Sequence, residues 1–76
     1  MSAATGDYVI CKREDGKYDL SVIAAGGERE SRRPGHPLAD LATAHDVARA
    51  GLEDSGGTKV WVCDHSSPDV LTAYRL

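Results

Sequence analysis

The stretch TAHDVARAGLEDSGGTKVWVCD, Thr43 to Asp64, decides the fold. Thr43 can cap a helix, with Asp46 three positions on in the place a capping box gives to an acidic or amide side chain, and Asp40 is a rival cap that would add a turn. Ala44, Val47, Ala48, Gly51 and Leu52 then form one stripe, while Asp46, Arg49, Glu53 and Asp54 lie on the solvated side. Gly56-Gly57 stops the helix, and Lys59-Val60-Trp61-Val62-Cys63 is β-branched and aromatic enough to follow as a strand. The stripe consists mostly of small residues. A mid-helix glycine costs about 1 kcal/mol relative to alanine, a cost that close approach of the helix to a sheet would justify at Gly51.

Working outward, Tyr8-Val9-Ile10-Cys11-Lys12-Arg13 and Lys17-Tyr18-Asp19-Leu20-Ser21-Val22-Ile23-Ala24 flank the turn signal Asp15-Gly16 and read as a hairpin. Tyr18, Leu20, Val22 and Ala24 share one face of its second strand. Ala25-Gly26-Gly27 offers another turn, and Glu28-Arg29-Glu30-Ser31-Arg32-Arg33 can return as a short polar edge strand whose charges discourage pairing with other chains. Pro34-Gly35-His36-Pro37 breaks the pattern before the helix. After it, Asp64-His65-Ser66-Ser67-Pro68-Asp69 is a six-residue turn region, and Val70 to Leu76 makes a last strand. The expected fold is α+β: one helix, about 43–55, packed on one face of an antiparallel sheet of three to five strands in the order β-β-(β)-α-β-β. Residues 1–76 make one small domain, with 1–6 expected to be disordered and 25–42 an irregular or edge-strand loop.

This arrangement, with its Asp15-Gly16 turn, polar return, alanine-rich helix carrying Ala48-Arg49, Gly56-Gly57 stop and Val60-x-Val62 strand, resembles certain small bacterial domains of unknown function. The resemblance covers about residues 8–64 and implies a β-β-α-β unit. It lends no activity. The chain departs from that pattern at Tyr18, where a tryptophan or similar aromatic would be expected, and in the Arg32 to Pro37 segment, which has no counterpart.

Composition narrows the function classes. Leu, Ile and Val number 14 of 76 residues and Phe is absent, so the few large groups must nearly all be buried, some of them at a subunit interface if the chain dimerises. Net charge is −3 and the pI is near 5.4, which argues against a dominant phosphate-binding role. Residues 1–6 carry no basic segment or apolar run of the secretory kind, and no stretch approaches the ~20 apolar residues of a membrane span. A cytoplasmic protein with reduced cysteines is expected, with no membrane partner.

The chemistry-bearing residues give three weighed readings. Cys11, Cys63 and His65, with His36 or His45 added, make a conceivable metal-ligand set, but they lack the Cys-x2-Cys pair that fixes a metal locally, and free cysteine commonly packs as a small hydrophobe. A cysteine nucleophile with His45 as base needs the two side by side, and nothing in the sequence brings them together. No catalytic residue and no cofactor is therefore assigned. Lys12, Arg13, Lys17, Arg29, Arg32 and Arg33 hold six of the nine basic residues between positions 12 and 33, but five acidic residues are interleaved with them. Trp61 either faces the helix as a core group or lies opposite it as an exposed interface anchor. The expectation is a non-enzymatic interaction or accessory module that binds a protein partner or itself through an open sheet face, with Trp61, Lys12, Arg13, Arg29, Arg32 and Arg33 as contact candidates. A weak nucleic-acid-binding domain using Arg29, Arg32 and Arg33 is the alternative, and a metal-binding or thiol enzyme comes third.

Overall fold

The computed structural model describes residues 3–32 and 35–74. Five strands and one helix follow in the order β1 (Tyr8–Lys12), β2 (Tyr18–Ile23), β3 (Arg29–Ser31), α1 (Leu41–Ser55), β4 (Val60–Asp64) and β5 (Ser67–Ala73). The fold is α+β as expected, and β3 is the short polar edge. The sheet is mixed rather than antiparallel throughout: its order is β3-β2-β1-β4-β5, and β4 runs parallel to β1. Parity explains the correction. β1 and β3 each pair antiparallel with β2, so they point the same way. The helix carries the chain back and β4 must then point along β1. Its apolar side chains on both faces suit a place between two strands, beside β1, better than one beside the charged β3.

Asp40, not Thr43, caps the helix. Its carboxylate accepts from the Thr43 backbone N–H at 2.8 Å and from the Thr43 hydroxyl at 3.1 Å, so the helix starts at Leu41, two residues before the expected boundary. Those bonds hold the Asp40 carboxyl below its ordinary pKa. At the other end Gly56 adopts the left-handed conformation, φ 78°, and its N–H reaches the Leu52 carbonyl.

Helix α1 lies across β1 and β2 and touches only the near side of β4. Ala44 and Ala48 meet Tyr8, Ile10, Leu20, Val22, Leu38 and Val60 in the main core. The approach is as close as the small stripe requires. A Cβ on Gly51 would lie 3.0 Å from Tyr8 Cε1 and nearer still to the ring's hydroxyl end, and Gly6 and Gly57 cross backbone to backbone where β1 begins, with the Ser55 hydroxyl donating to the Gly6 carbonyl at 2.6 Å.

The opposite face carries a second core of Val9, Ile23, Trp61 and Cys63, flanked by Ala3, Cys11, Leu71 and Ala73. Here Arg29 on β3 donates to Cys63 Sγ at 3.7 Å and to the Pro68 carbonyl at the start of β5. In a flat sheet β3 and β4 would stand three strand spacings apart, about 14 Å, beyond the reach of one arginine side chain. The sheet therefore curls away from the helix into a trough, and Arg29 straps its rim. Of the segment 1–6, residues 1 and 2 lie outside the described residues, and Gly6 meets one end of the trough through a bond from its N–H to the Ile23 carbonyl at 2.8 Å. Among the described residues, no helix is long and apolar enough to cross a membrane.

Candidate functional site

Trp61 lies opposite the helix, with Val60 and Val62 on the helix side. Its indole is 3% exposed, because the trough encloses it. An exposed anchor was the expectation for this face, and curling of the sheet is what removes it. The Lys59 ammonium stands 5.6 Å from the ring centroid, and the indole Nε1–H donates to Asp7 Oδ2 at 3.0 Å.

Asp7 is the residue that sequence reasoning missed. Only 2% exposed, its carboxylate also accepts the backbone N–H groups of Ala4 at 3.0 Å, Thr58 at 3.0 Å and Lys59 at 3.2 Å. Burial pushes its pKa up, but the bonds from Trp61 and the three backbone donors outweigh that and hold it below the ordinary value. One carboxylate thus ties the N-terminal segment, the entry to β4 and the indole together. The signal available in the sequence was Trp61 itself, since a buried indole N–H requires an acceptor.

The three metal candidates are not brought together. Cys11 and Cys63 are register partners in the β1–β4 ladder and point into the trough. His65 instead sits in the β4–β5 turn, its Nδ1 3.2 Å from Asp64 Oδ1 and 3.3 Å from the Lys12 carbonyl. Among the described residues no group of three His, Cys, Asp or Glu side chains could hold a metal ion. His45 lies one turn further into the helix than the Thr43 cap would place it, is 6% exposed, and stacks on Tyr74 with centroids 4.0 Å apart.

Among the described residues, Lys12, Arg13, Arg29 and Arg32 do not share one surface. Lys12 lines the helix side of the sheet, Arg13 bridges to Asp15 and Asp19 at 3.4 Å each, and Arg29 is committed to its strap across the trough. Arg32 is exposed just after β3, and Arg33 lies outside the described residues.

The open surface is on the helix side, where α1 leaves β5 and the Val62 to Asp64 end of β4 uncovered. A groove of about 540 Å³ runs there between Leu41 and Tyr18 on one flank and Val70, Thr72 and Tyr74 on the other, with Val62 in its floor. The His45–Tyr74 stack separates it from a smaller cleft of about 260 Å³ beside Arg49 and Leu52. Strand β5 forms the outer wall and begins earlier than expected, because the link from β4 is a tight turn at His65-Ser66. There Asp64 Oδ1 accepts the Ser66 N–H at 3.0 Å and the Ser66 hydroxyl at 2.8 Å. Between the Val62–Thr72 and Asp64–Ser67 pairs the β5 ladder bulges, and Val70, in the bulge, is 66% exposed, the one exposed large hydrophobic among the described residues. Comparison with protein-family models, with curated proteins and with solved structures returns no match.

Proposed function

We propose that this chain is a small non-enzymatic interaction module that associates with a second copy of itself along β5 and the groove beside it. The observation that carries the reading is the position of Val70. It stands at the middle of Ser67–Ala73, on a sheet edge that no other strand of the described residues pairs, and next to an apolar groove. A two-fold axis at that residue would set each Val70 against its twin and place Asp69 opposite Leu71, so that like charges do not meet. The other edge, Arg29-Glu30-Ser31, is short and charged, which is how edges that stay single are usually guarded.

Size supports the use of edge and groove together. A stable interface buries about 800 Å² on each partner, roughly one sixth of the 4807 Å² that this chain exposes. The groove alone is smaller than that. Pro68 brings no N–H and its carbonyl already accepts from Arg29, so pairing would rest on the Asp69 to Thr72 stretch, and β5 side chains from one copy would fill the groove of the other.

The test is sedimentation equilibrium or light scattering from micromolar to millimolar protein, on the native chain and on Val70→Glu. Concentration-dependent dimers in the first and monomers in the second are expected. A native chain that stays monomeric across that range overturns the proposal.

A further inference from the structure

We propose that Cys11 and Cys63 form a dithiol that exchanges with low-molecular-weight disulfides of the glutathione type to give a disulfide between β1 and β4. The two residues are direct register partners on parallel neighbouring strands, and both belong to the apolar cluster in the trough. Neighbouring strands lie about 4.8 Å apart, within the roughly 4.4–6.8 Å that a disulfide allows between Cα atoms. Both thiols are free. Their settings differ in a way that divides the work: Cys11 is half-buried and reachable, Cys63 is 5% exposed with Arg29 Nη1 at 3.7 Å from its sulfur.

The exchange runs in two balanced steps. Cys11 gives its proton to solvent and its sulfur attacks the small disulfide, forming a mixed disulfide and releasing one thiolate. Cys63 then gives its proton to solvent and its sulfur attacks Cys11 Sγ. The second small thiolate leaves, and no other oxidant is required. Burial and the neighbouring thiol raise Cys11 to about 11, so the first step is slow at neutral pH. Oxidation would also change the character of the sulfur that Arg29 holds, and with it the strap across the trough.

The experiment places the native chain in glutathione buffers of increasing oxidised fraction, alkylates the remaining thiols and reads intact mass. The expected product has lost two hydrogens and takes up no alkylating agent, and dithiothreitol restores the dithiol. Repeating the titration in urea gives the unfolded reference, and the native equilibrium constant should exceed it by at least about tenfold, because the fold holds the sulfurs together. Cys63→Ala should stop at the mixed disulfide on Cys11. The proposal is overturned by equal constants in the native and urea titrations, by disulfides that form only between chains, or by an unmodified dithiol in fully oxidised glutathione.

Discussion

Four donors converge on the Asp7 carboxylate, and one of them is the N–H of the largest side chain in the trough. Replacing Asp7 by Ala leaves those donors buried and unpaired, which costs about 3 kcal/mol in a urea denaturation. Asp7→Asn keeps an acceptor but turns an amide N–H toward a donor, and should recover only part of that loss. The pH dependence has a fixed sign. Because the folded pKa lies below the ordinary 3.8, the contribution is full above about pH 4 and is lost as pH falls through the folded value. Native stability should therefore drop more steeply in acid than that of Asp7→Asn, and a flat difference between the two denaturation series from neutral pH to pH 2 would refute this. Gly51 yields the opposite test of local propensity. Alanine gains about 1 kcal/mol of helix propensity, but its Cβ would occupy the space of the Tyr8 ring, and overpacking costs about 1–3 kcal/mol. Net destabilisation is expected. That role was legible in the sequence because a small-residue stripe with a mid-helix glycine carries its own explanation. Asp7 was not, because three of its four donors, Thr58, Lys59 and Trp61, lie more than fifty positions away.

At the scale of the element, caps and turns were read where their chemistry is local and misread where two local signals compete. Asp40 and Thr43 both have cap chemistry, and the carboxylate prevails because it accepts from the backbone and the hydroxyl of Thr43 at once. Asp40→Ala should lower the denaturation midpoint more than Thr43→Val, which keeps the backbone N–H that Asp40 accepts; equal losses would return the cap to Thr43. The last hairpin shows the same competition, since a six-residue polar stretch contains an Asx turn at Asp64 that lets β5 begin at Ser67. The parallel β1–β4 pair differs in kind. The count of directions turns on β3, which the sequence leaves open as a strand: without it β4 would run antiparallel to β1, and with it β4 runs parallel.

Across the whole molecule the decisive feature is the curl, which no periodicity in the sequence encodes, because alternation gives the face of a residue but not the curvature of that face. The curl turns the side away from the helix into a filled trough and moves the open surface to β4 and β5 on the helix side. Arg29 is the side chain that spans the rim, and its value lies in geometry more than in charge. Arg29→Ala removes two hydrogen bonds, one to Cys63 Sγ and one to the Pro68 carbonyl, for an expected loss of about 1 kcal/mol. A larger change is expected in Trp61 emission. In the native chain the indole is enclosed by its own chain, so its emission should be blue-shifted and unchanged by dilution, even where light scattering records dissociation of a dimer built on β5. Opening the rim should shift that emission to the red without altering the Val70-dependent association, whereas Arg32→Ala, at an exposed position whose side chain donates no bond to the trough among the described residues, should leave it unmoved. A red shift on dilution of the native chain would put Trp61 at a subunit interface and replace β5 as the contact surface.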